Sequence, residues 1–452
     1  MHRKSDFLGE ESVKKLLLKL SAPAIAGLLV QALYNVVDTF FVGIAYGDLA
    51  VQAIGGLTIA FPIQLLIMSV TITIGTGGAS IISRALGAKD IHRAKKALGN
   101  VFFLSLIIGV LSLLFCFFDL EPALKLFGAT PGIMPYAKDY IQIIIAGAIF
   151  TIFSLSFQNI IRAEGNAQFA MNVMLLGAGM NILLDPIFIF GLGTGVRGAA
   201  IATVISQALS AVLVLDYFIK GKSSVPLSYG MLRLDNRILK EIASIGIGPF
   251  ILQASSSFSM LLVNVVLALY GGDVAIAVYG LIIRLFSFVF MPILGVSFGL
   301  QPVVGYNYGA AKFGRVIESV KLSIVATTAI GLAGSMVMYL FPEKLLSVFS
   351  SDQELLNVGV SAIHIFVLGI PLIGVNVIGA TIFQALGRAQ QSFVLSIART
   401  ILFLIPLLLI LPRFYSLNGV WAAFPISDFL AFSVSGLLLL MENKKLSSYP
   451  NT

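Results

Sequence analysis

The chain has 452 residues, 58% of them hydrophobic and only 11% charged, with a formal net charge of +8. Soluble globular domains carry roughly 25% charged residues, so this composition, with a mean hydropathy of +0.99, excludes that class and points to a membrane protein. A single cysteine, Cys116, leaves no intrachain disulfide. No cleavable signal peptide is expected, because the first apolar run is too long and lacks a small-residue cleavage site.

Apolar stretches of the ~20 residues that cross a bilayer predict twelve helices. They lie near 20–43, 52–80, 98–118, 137–160, 169–190, 198–219, 242–270, 276–304, 320–341, 360–384, 393–412 and 418–440. The first contains "LYNVVDTFFVG", in which Asp38 is the one charge. Short links between the runs leave no room for a soluble domain. With both termini on the cytoplasmic side, Lys and Arg number 22 on that side and 5 on the other, with Arg284 and Arg399 inside apolar runs. That asymmetry is a positive-inside signal. The excess charge therefore sets topology in the inner (plasma) membrane, and no nucleic-acid partner is expected.

The second half of the chain restates the first. Setting Pro23 on Pro249 aligns "SAPAIAGLLVQALYNVVD" with "GIGPFILQASSSFSMLLVN", and Asp48 falls on Asp273, Gly55 on Gly280. Further on, "ALGAKD" falls on "NYGAAK", "RAEGNAQ" on "QALGRAQ" and "RGAAIAT" on "NGVWAAF". Six spans per copy is an even number, so both copies start on the same side, with a cavity expected between them near the midplane. The expected fold is an all-α polytopic membrane protein with two pseudo-symmetric six-helix lobes, residues 1–219 and 242–452, joined by a cytoplasmic linker, 220–241.

Charges at the centre of a membrane helix cost roughly 2.5–3.5 kcal/mol and are functional suspects by default. Asp38, Asp185 and Asp428 are the acids inside apolar runs, whereas Asp216 lies at a helix end where solvation is easy. Asp38 and Asp185 sit at nearly equal depth, past the midplane. Pro186 follows Asp185 and removes the donor that the carbonyl of Ile182 needs, so a bend there is expected. In the repeat Asp38 maps to Asn264 and Asp185 to Leu407, so one half alone holds this pair. Tyr34 and Asn181 each precede their acid by one turn and share its helix face, and Thr203 could complete the cluster. A buried acid has a raised pKa, which suits reversible proton uptake. A hard cation such as Na⁺ could use the same oxygens.

The segments "SAPAIAGLLVQALYNVVDTFFVG", "ISRALGAKD", "RAEGNAQ", "NILLDPIFIFGLGTGVRGAAIAT", "GYNYGA" and "FQALGRA" resemble the multidrug and toxic compound extrusion (MATE) family, over residues 10–440. The resemblance implies two six-helix lobes forming a V and a secondary active antiporter. Such a protein exports small organic cations against H⁺ or Na⁺ by rocker-switch alternating access, with no other cofactor. In DinF-type members the coupling acid on helix 1 and the Asn, Asp and Thr on helices 5 and 6 correspond to Asp38, Asn181, Asp185 and Thr203, with Tyr34 alongside. NorM-type members carry further acids on helices 7 and 10, and this chain has none there. A monomer in the lipid bilayer is expected.

Weaker signals remain. Arg284 and Arg399 read as buried and are expected to pair with Asp428, and Arg284 and Asp428 are also candidates for the substrate cavity. Gln158, Asn159, Gln301 and Gln384 are polar groups that could line it or bond between helices. His364 reads as a hydrogen-bonded core histidine. "GTGG" and "GLGTG" lack the spacing and the Lys of a phosphate loop, which excludes an ATP-driven pump. An oligosaccharide or lipid flippase would need a cavity lined with Arg and Lys. A membrane-embedded transferase would need a His/Asp or metal-ligand set that the short loops lack, so no enzyme activity is expected.

Overall fold

The computed structural model describes residues 5–46, 50–225, 234–349 and 352–448; side chains at 32, 34–40, 43, 50, 51, 54 and 257 are left undescribed. Every regular element among the described residues is helical. In the first half these are α1 (Phe7–Glu10), α2 (Val13–Tyr46), α3 (Ala50–Gly87), α4 (Ile91–Phe115), α5 (Glu121–Leu126), α6 (Met134–Ala146), α7 (Ala148–Ala163), α8 (Ala167–Pro186) and α9 (Val196–Ile219). The second half holds α10 (Asn236–Gly309), α11 (Phe313–Leu340), α12 (Pro342–Ser347), α13 (Gln353–Phe366), α14 (Ile370–Ala385), α15 (Ala389–Ile397), α16 (Ile405–Ile410) and α17 (Pro412–Ser447). Two π-helical segments, Ile187–Gly191 and Ala398–Leu404, follow α8 and α15.

Among the described residues, eight helices are long and apolar enough to span a membrane, and the bent pairs α6–α7 and α13–α14 each add one span. The 74-residue α10 breaks at Gly272, whose φ of 62° is a conformation glycine adopts without strain, so it supplies two. With α2 as the first, the twelve expected spans are the observed ones.

The duplication is written into the backbone. The two bent spans turn by 54° and 51°, at Gly147 and Gly369. Lys89 and Ala311 both have φ of 59°, a conformation uncommon for residues with a Cβ. The chain needs it there to end a helix: Asp90 N–H reaches back to Ala85 O and Lys312 N–H to Asn307 O, each at 2.8 Å. Gly165 and Gly387, with φ of 94° and 74°, end α7 and α14 in the same way. In the first half the new helices then start on capping side chains, whereas Lys312 and Arg388 supply none in the second. Asp90 Oδ1 accepts from Arg93 N–H at 2.9 Å, and Asn166 Oδ1 from Phe169 N–H at 3.1 Å.

The chain packs into two compact units. One holds Met1–Phe7 and Ala26–Gly246, the other Leu8–Ile25 and Ile247–Thr452. In the second unit, the opening half of α2 lies on the small face of α10. A methyl group on Gly295 or Gly299 would come within 2.9 Å of Ile25 Cα or Ser21 Cα. In the first unit Gly77 meets Ile242 and Gly246 meets Thr73 equally closely. In lipid, helices associate by such close backbone approach. Gly299→Leu is expected to destabilise the protein by about 1–3 kcal/mol, as overpacking does, and to lower its melting temperature in detergent. Gly280→Ala, where nothing lies within 4 Å of the added methyl, should leave that temperature unchanged.

Candidate functional site

In the first unit, α8 starts at its Asn166 cap and runs 20 residues to Pro186. Without an N–H at Pro186, the regular ladder cannot continue. The backbone relaxes into the π segment Ile187–Gly191 rather than a simple bend, and Thr194 Oγ1 donates to Phe188 O at 2.6 Å. Single π turns of this kind recur at functional sites. Here the irregular turn directly follows Asp185.

Asp185 is fully buried and Asn181 is 2% exposed. One helical turn apart, they face α9, and Asn181 Nδ2 donates to Asp185 Oδ1 at 3.2 Å and to Thr203 Oγ1 at 3.4 Å. Three of the five expected coupling residues therefore form one hydrogen-bonded cluster. The side chains of Asp38 and Tyr34 lie outside the described residues.

The cluster opens onto a cavity of about 40 Å³ lined by Gln31, Gln158, Asn181, Thr203, Ser206 and Gln207, among others. A water needs ~10–15 Å³ on this measure, so the space suits a few waters or one small ion. Drug-sized ligands need ~300–1,000 Å³ and are too large for it. Gln158 Nε2 donates to Ser154 Oγ at 2.9 Å. The carbonyl oxygens Gln158 Oε1 and Asn181 Oδ1 are buried and have no hydrogen-bond partner among the described residues. Two such oxygens beside a carboxylate form a donor set for a hard cation or a proton-carrying water. Gln158, expected in the substrate cavity, lines this smaller pocket.

Sequence reasoning missed Gln31, Ser206, Gln207 and Ser210 as lining groups. A signal was present. Thr203, Ser206, Gln207 and Ser210 recur at helical spacing along an otherwise apolar span.

The remaining candidates are placed as follows. Asn159 is held within α7, donating to Leu155 O and accepting from Arg162 Nη2 at 2.9 Å. Gln301, 7% exposed, belongs to the second unit, and its Nε2 is buried with no hydrogen-bond partner among the described residues. Gln384 stands half-buried near the end of α14. The expected burial of Arg284 is corrected: it is exposed. Its helix buries Val278, Ile282, Phe286, Val289 and Ile293, and a residue two beyond Ile282 points to the opposite side of that stripe. Asp428, 4% exposed, is met by Arg399 alone of the two arginines, with Nε to Oδ1 at 2.5 Å. Arg399 stands on the second π segment. His364 is half-buried, with Nε2 3.2 Å from Tyr339 O.

The MatE family model matches residues 23–187 and 249–410, one block on each copy of the repeat. The chain belongs to the MatE family. It is similar to the multidrug export protein MepA of Staphylococcus aureus (strain MSSA476), with 26% identity over 98% of this chain and 96% of that one. The solved structure of the MATE multidrug transporter DinF-BH is 44% identical, with a TM-score of 0.91 and 98% of each chain covered. The outward-facing conformation of a multidrug resistance MATE family transporter of the MOP superfamily is 28% identical, with a TM-score of 0.92 and coverage of 99% and 100%. Family membership accounts for the twelve spans, the two lobes and the multi-pass membrane location. MatE proteins of this kind are transporters, not enzymes.

Proposed function

We propose that this MatE chain is a secondary active multidrug efflux antiporter of the plasma membrane. It exports small organic cations in exchange for H⁺ or Na⁺ by rocker-switch alternating access. The coupling ion is held in the first lobe by Asp38, Asp185, Asn181 and Thr203, with Tyr34 alongside. The observation that carries this reading is the buried Asn181–Asp185–Thr203 cluster on a cavity of ion size, with two unclaimed carbonyl oxygens.

When the site is empty, the Asp185 carboxylate is held by the Asn181 amide. An arriving proton or cation neutralises it and relaxes that hold, and the π turn after Pro186 gives α8 room to rearrange. The lobes of the proposal are residues 1–219 and 242–452 about the 220–241 linker, with both termini cytoplasmic in keeping with the charge asymmetry. The protein works as a monomer. In the second lobe Gln301 is the proposed substrate contact, because its buried amide awaits an acceptor. The reading as a lipid or oligosaccharide flippase has less support, since Arg399 is neutralised by Asp428 and offers no free charge to an anionic headgroup.

Everted membrane vesicles incubated in a fluorescent organic cation test the proposal, with pH and Na⁺ gradients imposed separately. Accumulation driven by one of the two gradients is the expected result. Accumulation driven by neither refutes antiport.

A further inference from the structure

The segment "GLGTG", residues 191–195, lacks the makings of a phosphate loop, and the structure gives it another task. It carries the chain from the π segment after Asp185 into α9, the helix of Thr203. The first backbone donors of a helix need partners from outside it, and Gly195 has no side chain with which to cap α9. Tyr46, the last residue of α2, supplies the cap instead: Val196 N–H donates to its hydroxyl oxygen at 3.1 Å. Gly195 makes room for it. Its φ of 55° suits glycine, and a methyl group there would stand 2.2 Å from the Tyr46 oxygen.

Neighbouring contacts extend this tie in both directions. The Tyr46 ring meets Tyr136 of α6 edge-on, with centroids 5.3 Å apart. Phe41, earlier on α2, meets Phe190 of the π segment edge-on at 6.1 Å. Thr194 directs both its N–H and its hydroxyl to Phe188 O, at 3.2 and 2.6 Å. That carbonyl belongs to the irregular turn that Pro186 creates. The outer end of α2 is thus joined, through the 191–195 turn, to the helix of Asp185 and to the helix of Thr203.

The repeat supplies a contrast. Gly195 corresponds to Ser416, and the two backbones agree: φ and ψ are 55° and −126° at Gly195, 48° and −135° at Ser416. Tyr46 corresponds to Gly271, which has no hydroxyl to offer. There the contact is inverted. A methyl group on Gly271 would stand 2.8 Å from Leu417 Cδ1, and Leu417 corresponds to Val196. The second half closes this joint with an aliphatic side chain laid on a glycine. The first half, which holds Asp38 and Asp185, closes it with a directional hydrogen bond. Apolar packing tolerates a small slide of one helix along another, whereas a hydrogen bond to a helix end fixes the register.

We propose that Tyr46 is a positioning residue for ion coupling: its hydroxyl, bonded to the start of α9, sets the register of α2, and so of Asp38, against Asp185 and Thr203. The inference rests on the reading of the first lobe as the coupling site. Asp38 lies eight residues before Tyr46 in the same continuous helix, about 12 Å along its axis at ~1.5 Å per residue. A shift of the outer end is therefore carried down to the acid.

The test uses the full chain reconstituted into liposomes, with transport of a fluorescent organic cation measured against pH and against Na⁺. Tyr46→Phe keeps the ring against Tyr136 and removes the hydroxyl alone. The concentration of the driving ion that gives half-maximal rate should rise about two- to tenfold, the worth of one hydrogen bond. The maximal rate should hold, and the melting temperature should fall by about 2 °C or less. Arg197→Ala is the control. It breaks another tie at the same helix start, the 2.8 Å ion pair between Arg197 and Asp139 of α6, and should leave the ion dependence unchanged. Hydrogen exchange gives a readout independent of transport. In peptides spanning 192–199, one amide should exchange about two- to tenfold faster in Tyr46→Phe than in wild type. Unchanged ion dependence or unchanged exchange in Tyr46→Phe overturns the proposal, as does an equal shift in Arg197→Ala. A wild type driven by neither ion refutes the coupling-site reading and this inference with it. An ion-driven wild type that Tyr46→Phe matches refutes this inference alone.

Discussion

Asp185→Asn is expected to abolish gradient-driven efflux while leaving the protein folded, in the membrane and at least as heat-stable as wild type. The two halves of that expectation have separate physical origins. Asp185 is fully buried, and a charge at helix centre costs roughly 2.5–3.5 kcal/mol. Replacing the carboxylate by an isosteric amide relieves that cost. The amide oxygen can still accept from Asn181 Nδ2, now 3.2 Å from Asp185 Oδ1, and the fit between α8 and α9 is unchanged. A residue present for stability would lose stability on substitution. Here stability should hold or rise.

What the variant loses is the change in charge on ion binding, and with it the coupling between ion and drug. Coupling free energies are typically about 1–3 kcal/mol, or 5–150-fold in affinity. Loss of all of this coupling should bring accumulation of a fluorescent cation in everted vesicles down to the level seen without a gradient. Purified protein should keep its melting temperature within a degree or two. Asp38→Asn carries the same expectation for drug resistance in cells. Gradient-driven efflux surviving in both variants would remove the coupling site from the first lobe. Efflux lost together with folding would make Asp185 a structural acid.

Much of this could be read in the sequence because lipid imposes simple rules on helices. Twelve apolar runs gave twelve spans, and the paired motifs gave a repeat that recurs in the backbone down to the φ angles of Lys89 and Ala311. The Asn181–Asp185 contact followed from one-turn spacing. What stayed hidden depended on which face of a helix points inward. Arg284 and Arg399 look alike in an apolar run, yet the stripe of Val278, Ile282 and Phe286 turns Arg284 outward, while the π segment brings Arg399 to Asp428. The bends at Gly147 and Gly369 were equally silent, because a glycine in an apolar run reads the same whether straight or kinked. Glu164 gave no sequence signal, because its burial depends on Ser224, 60 residues further along the chain.

Arg399→Met and Asp428→Ala, made singly, are expected to be the most destabilising changes in the second half. The pair is nearly out of solvent, with side-chain exposures of 23% and 3%. Breaking a buried ion pair by removing one partner typically costs about 3–5 kcal/mol, because the other charge is left uncompensated. Each single variant should therefore unfold at a clearly lower temperature in detergent. In the double variant no charge remains to be stranded, and apolar replacement of a buried pair is often neutral, so most of the loss should be recovered. The recovery is the coupling energy of the pair, read from the double-mutant cycle. Asp428 also faces the kink at Gly369, so the pair sits where α13–α14 bends. Efflux separates two roles at this point. If the double variant regains both stability and transport, the pair acts to hold the bent span against α17. If it regains stability but not transport, Asp428 contributes its charge to the substrate path as well.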